Sequence, residues 1–232
     1  MMMAKLFEPI EVGGLRLANR IVIAPMCQYS AVDGAMTDWH QMHLGQLALS
    51  GAGALTIEAT AVSPEGRITY GDIGLYDDRT EAAMRSVLES VRRWSDMPLI
   101  IQLAHADRKA SCAKPWHGGT QIAPDTENGW QTVAPSAIPF APDDHPSVEL
   151  DKSGLARIRE AFADAARRAG APAGSASKPS RSTPRMAICS TSFFRRSPTG
   201  AATNTAAAST TGCGSRSKCS MPCAKRFPPT DR

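Results

Sequence analysis

Residues 171–232 contain no Leu, Val, Tyr, Trp, His or Glu. With no Leu or Val, a stretch of this length cannot bury enough apolar surface to offset its chain entropy. It is therefore expected to be a disordered tail rather than a second folded domain. It holds ten Lys and Arg against a single acidic residue, so non-specific electrostatic contact is expected. The missing Tyr and Trp remove the usual base-stacking rings, so no specific nucleic-acid partner is expected. Four of the six cysteines lie there (Cys189, Cys213, Cys219 and Cys223), with no C-x2-C pair and no neighbouring His, so no metal site is expected. Nowhere does the chain approach the roughly 18 unbroken apolar residues of a spanning helix, and Met1–Lys5 leads into no signal-like apolar run. The expectation is a cytoplasmic protein with no membrane partner.

Residues 1–170 have another composition, with 16 Lys and Arg against 21 Asp and Glu. Three short apolar runs read as strands: residues 20–26, 54–62 and 98–105. Because they are nearly continuous rather than alternating, they predict a parallel sheet covered on both faces. Helical patterns lie between and after them. One places Trp39, Met42, His43 and Leu47 on a stripe; a second, capped by Thr80, carries Met84, Val87, Leu88, Val91 and Trp94. A third spans residues 151–168 with Leu155, Ile158 and Phe162 inward. Repeated strand–helix units predict an α/β fold, either doubly wound or a barrel. The Pro- and Gly-rich stretch 112–147 reads as a loop excursion with a hairpin near Thr132–Ala134. His40 and His43, three apart on a helix with no carboxylate partner evident, read as structural.

The segments Leu6–Ile10 and Leu17–Ser30, the latter containing Ala24-Pro25-Met26-Cys27-Gln28-Tyr29, resemble the opening of the Old Yellow Enzyme family. Further matches follow in order: Glu58–Val62, Pro64–Ile68, Gln102–Ala106, Arg108–Ala110 and Ala134–Phe140. Cys27 is similar to the cysteine of the bacterial, thermophilic-like subclass. The resemblance implies the N-terminal portion, about three β/α units, of a TIM (β/α)8 barrel, a fold of about 250 residues in full. It makes residues 1–170 the oxidoreductase portion and 171–232 a non-native tail. It also implies FMN as cofactor, NADPH or NADH as reductant, and a small-molecule enone or similar electrophilic alkene as substrate; family members are often homo-oligomers. Ala24, Pro25, Met26, Cys27, Ala59 and Gln102 would then contact the flavin. Cys27 would tune its potential, Gln102 would bind the pyrimidine part, and Tyr29 would face substrate. Asp107 departs from the family's usual Gly after His-Ala.

The resemblance calls next for a fourth strand with a His-x-x-His pair and a tyrosine proton donor, and none follows Gly170. A shifted reading frame, joining the third base of each codon to the next two, permits a different sequence. From Ser175 to about Phe194 it spells G-I-E-A-I-E-I-H-S-A-H-G-Y-L-L-H-Q-F-L. The expectation is a frameshift between about residues 171 and 174, leaving a truncated chain that is inactive. The alternatives are a non-enzymatic fragment that associates with a full-length homologue, or a pseudogene product.

Overall fold

In the computed structural model, residues 4–170 and 186–191 are described. A hairpin of β1 (Ile10–Val12) and β2 (Leu15–Leu17) leads into β3 (Val22–Ile23). Then come α1 (Asp38–Ala48), β4 (Ala54–Ala61), α2 (Asp78–Arg92) and β5 (Leu99–Ala104). The short β6 (Val133–Ala134) and β7 (Val148–Glu149) precede α3 (Lys152–Gly170) and β8 (Met186–Thr191).

The main sheet is parallel with strand order β3-β4-β5-β8, so each strand lies beside the next one in its chain order. Leu55 and Ile57 of β4 and Leu99, Ile101 and Leu103 of β5 are buried beneath Leu44 and Ala48 of α1, Met84, Val87 and Val91 of α2, and Ala165 of α3. β5 strictly alternates: Leu99, Ile101 and Leu103 are buried, while Ile100, Gln102 and Ala104 are only half-buried. Helices cover one face of the sheet; on the other, β4 is buried apart from Ala59 while β5 leaves Ile100, Gln102 and Ala104 half-buried, so the expectation of two covered faces holds for β4 and fails for β5. Monotonic strand order with all the helices outside is the opening of a barrel, not of a doubly wound sheet.

β8 is a second difference. The segment expected to be wholly disordered supplies a strand, Met186–Thr191, in parallel register with all of β5, from Leu99↔Met186 to Ala104↔Thr191. The free edge of β5 offers a row of backbone donors and acceptors to any extended neighbour, and Met186–Cys189 is the apolar run available. The rest of the expected tail lies outside the described residues.

Local chemistry explains the remaining corrections. α2 is capped by Asp77, whose carboxylate accepts from the Thr80 N–H at 2.7 Å; Thr80 is the fourth residue of a capping box rather than the cap. Trp94 lies beyond the end of α2 and is exposed. α1 buries His40, Leu44 and Ala48 in place of Trp39, Met42 and His43, because the ring of His40 is needed inside. Near Thr132, β6 pairs in parallel with β7 from fifteen residues on, so there is no hairpin.

Candidate functional site

Three chain segments meet at the C-terminal ends of β3, β4 and β5. β4 and β5 run in register from Leu55↔Leu99 to Ile57↔Ile101, then shift, so that Ala59 stands opposite Gln102 and Glu58 is the extra residue of a β-bulge. A bulge re-aims side chains at the rim of a barrel. Here Ala59 is the one half-buried residue in an otherwise buried strand. Gln102 points from the open face of β5, and its carboxamide has no hydrogen-bond partner among the described residues.

Cys27, four residues past β3, joins this pair because the Ala59 backbone N–H is directed at its sulfur. Burial pushes the Cys27 thiol up to about 12, and the carboxylates of Asp72 and Glu58 add to the effect. The thiol is thus protonated across the neutral range. Asp72, itself buried, is raised to about 6 by desolvation, against hydrogen bonds from Thr69 and the Ile68 N–H at 2.9 Å. Ala24 and Met26 are exposed, and Pro25 is half-buried, on the approach to Cys27.

Tyr29 turns toward the long loop instead. Its ring packs edge-on against Trp116 with centroids 5.7 Å apart, and the Lys114 ammonium lies over both Tyr70 and Trp116 at 4.9 and 5.8 Å. The structure therefore brings Cys27, Ala59 and Gln102 together, sets Ala24–Met26 beside them, and places Tyr29 on the neighbouring wall.

One residue here was not given a role from the sequence. Glu58 is buried and its carboxylate accepts from the Gln28 N–H at 2.6 Å; His40, also buried, brings Nε2 to 3.3 Å from its other oxygen. His40 thus does have a carboxylate partner, contrary to the reading from sequence. A charged residue inside an apolar strand was the available signal, since such a group is buried only when paired. His105, at the end of β5, is pushed down to about 4 by burial, and its Nδ1 accepts from the Asp107 N–H at 3.0 Å. Among the described residues no group of His, Cys, Asp and Glu is placed to hold a metal ion, and no helix is long and apolar enough to cross a membrane.

The residues present fit a flavin ring. Ala24 and Ala59 carry no bulky side chain, the Gln102 amide, unpartnered among the described residues, offers both a donor and an acceptor, and the protonated Cys27 thiol lies beside Ala59.

Comparison with known proteins agrees. The model of the NADH:flavin oxidoreductase / NADH oxidase family matches residues 5–175. An NADH:flavin oxidoreductase of Gibberella zeae is 40% identical over 168 residues, covering 71% of this chain and 40% of that protein. An NADPH dehydrogenase of Geobacillus thermodenitrificans is 36% identical over 166 residues, covering 71% and 44%. Among solved structures, morphinone reductase is 28% identical with a TM-score of 0.56, covering 71% of this chain and 44% of its own. The old yellow enzyme homologue of Zymomonas mobilis is 26% identical with a TM-score of 0.58, covering 72% and 45%. The chain spans less than half the length of each of these relatives.

Proposed function

Since the chain belongs to the NADH:flavin oxidoreductase / NADH oxidase family, whose cofactors are FMN and a reduced nicotinamide, we propose that residues 5–170 form the ring-binding wall of an ene-reductase, and that the chain as sequenced does not complete a turnover alone. When bound, FMN supplies a two-electron carrier between nicotinamide and the β-carbon of an α,β-unsaturated carbonyl. The chain's own residues hold and shape. Gln102 pairs its amide with the polar edge of the ring, Ala59 leaves room for the ring plane, and the backbone of Ala24–Met26 borders it. Cys27 keeps its proton and acts as a neutral S–H neighbour, with Tyr29 lining the substrate side. The observation that carries this reading is the juxtaposition of Cys27, Ala59 and Gln102 on the open face of the sheet.

The inactivity follows from what replaces the expected continuation. Residues 171–232 hold neither His nor Tyr, so they supply no His pair for the carbonyl oxygen and no tyrosine to protonate the other carbon. A frameshift between residues 171 and 174 accounts for the change, because the shifted frame spells the missing H-x-x-H-G-Y.

The test is an FMN titration of the purified chain by flavin fluorescence, followed by NADPH oxidation with 2-cyclohexenone. The expected result is no stoichiometric binding at micromolar protein and no turnover above free FMN. Tight one-to-one binding with enone reduction overturns the inactivity. The half-open face of Ile100, Gln102 and Ala104 also suits a fragment that associates with a full-length homologue; co-purification with an intact relative would favour that second reading.

A further inference from the structure

The turn from Cys27 to Ser30 lies outside any strand or helix, yet it is tied at almost every residue. The Gln28 N–H donates to Glu58 at 2.6 Å, and the Gln28 side-chain oxygen accepts from Trp39 Nε1 at 3.1 Å. Ser30 Oγ donates to the Gln28 carbonyl at 2.9 Å, and the Ser30 carbonyl accepts from Thr37 Oγ1 at 3.1 Å. Between these anchors Tyr29 has φ +52, a left-handed conformation that a bulky residue keeps only where its flanks are fixed. Gly71 closes the other side, since a Cβ there would lie 2.5 Å from the Tyr29 carbonyl oxygen.

Of these ties, the Glu58 tie is built from the core. The β-bulge directs the carboxylate out of β4 toward the turn. His40 Nδ1 accepts from the Thr37 N–H at 3.0 Å, which leaves the ring proton on Nε2, facing Glu58. The 3.3 Å approach is oblique and falls short of a hydrogen bond, so it acts as an electrostatic contact on the second carboxylate oxygen. Both side chains are buried, so neither is free to leave.

The geometry points to Glu58 as a positioning residue for the flavin-side turn: its carboxylate, oriented by His40, fixes the Gln28 amide and so sets Cys27 toward Ala59 and Tyr29 toward Trp116. The role of the turn rests on the proposed flavin reading, but the clamp itself is measured without flavin, so the two can fail separately. A carboxylate that accepts a backbone N–H in a buried place leaves that amide protected from exchange even though no regular structure covers it.

Hydrogen exchange on the full chain, without FMN, tests this. In the unsubstituted protein the Gln28 amide should exchange as slowly as the Ile101 and Leu103 amides of β5. Glu58→Ala should speed Gln28 exchange at least tenfold while the β5 amides stay protected, and should raise Cys27 alkylation several-fold. Glu58→Gln, which keeps an acceptor oxygen, should retain most of the protection; a general packing role would not separate the two variants. Gln28 exchanging in the unsubstituted chain like an exposed loop overturns the proposal, as does unchanged Gln28 exchange in a folded Glu58→Ala variant. Where Glu58→Ala costs the fold, the unsubstituted chain and Glu58→Gln decide.

Discussion

Ala59 of β4 stands directly opposite Gln102 of β5, and the Ala59 N–H reaches across to the sulfur of Cys27. One backbone position thus links all three strand ends. The β-bulge at Glu58 makes this possible, because with Glu58 paired in regular register Ala59 would stand opposite Leu103 and face the helices.

If Gln102 is a recognition residue rather than a structural one, its removal should cost the fold little. It is half-buried and has no hydrogen-bond partner among the described residues. Gln102→Ala is expected to shift the stability from urea unfolding by no more than about 0.5 kcal/mol. A loss of about 2 kcal/mol would make the amide part of the packing instead.

Cys27 should be a slow nucleophile. With its thiol pushed up to about 12, almost no thiolate exists at pH 8. Peptide-resolved alkylation with iodoacetamide is expected to run at least tenfold slower at Cys27 in the folded chain than in urea. Equal rates in the two conditions would contradict a buried, protonated thiol.

Two buried groups should oppose one another in the acid range. Asp72, raised to about 6 in the fold, holds its proton more tightly folded than unfolded, so its contribution to stability is lost as pH rises from about 4 to 6. His105, lowered to about 4, does the reverse, and its contribution is lost as pH falls from 6.5 to 4. Each is worth about 3 kcal/mol at the extreme, so the native profile should be nearly flat. Asp72→Asn should leave stability rising with pH over this window, and His105→Gln should leave it falling. Urea midpoints at pH 4.5 and 6.5 separate the cases.

Asp107 occupies a left-handed position, with φ +48, where the family resemblance expects glycine. Asp107→Gly should be neutral or stabilising by about 0.5 kcal/mol, since glycine adopts this conformation without steric cost. A destabilisation above about 1 kcal/mol would show that the Asp107 contact with the Arg108 N–H outweighs the backbone term.

The strands at Val22, Ala54 and Leu99 were legible as apolar runs, and α2 and α3 as stripes around Met84 and Ile158, whereas α1 was legible as a helix but not in its buried face, which runs through His40, Leu44 and Ala48. Apolar burial dominates there, and sequence periodicity reports it directly. Less legible was whatever depends on partners distant in sequence. His40 turns inward because Glu58, 18 residues on, sits in a bulge that no local pattern announces. The pairing of Val133 with Val148 and of Leu99 with Met186 depends on which edges lie open, which is a property of the assembled sheet. Within the site, Cys27 and Gln102 came from family resemblance, whereas the Glu58 and Asp72 carboxylates beside Cys27 emerged only from the fold.

The most direct test joins residues 5–170 of this chain to the C-terminal part of the NADPH dehydrogenase of Geobacillus thermodenitrificans, and compares the product with the unaltered chain. The chimera should bind FMN one-to-one and reduce 2-cyclohexenone with NADPH, and Gln102→Ala should weaken its FMN binding at least tenfold. The chain alone should do neither. A folded chimera that stays flavin-free would contradict the assignment of the ring-binding wall, and turnover by the chain alone would contradict its inactivity.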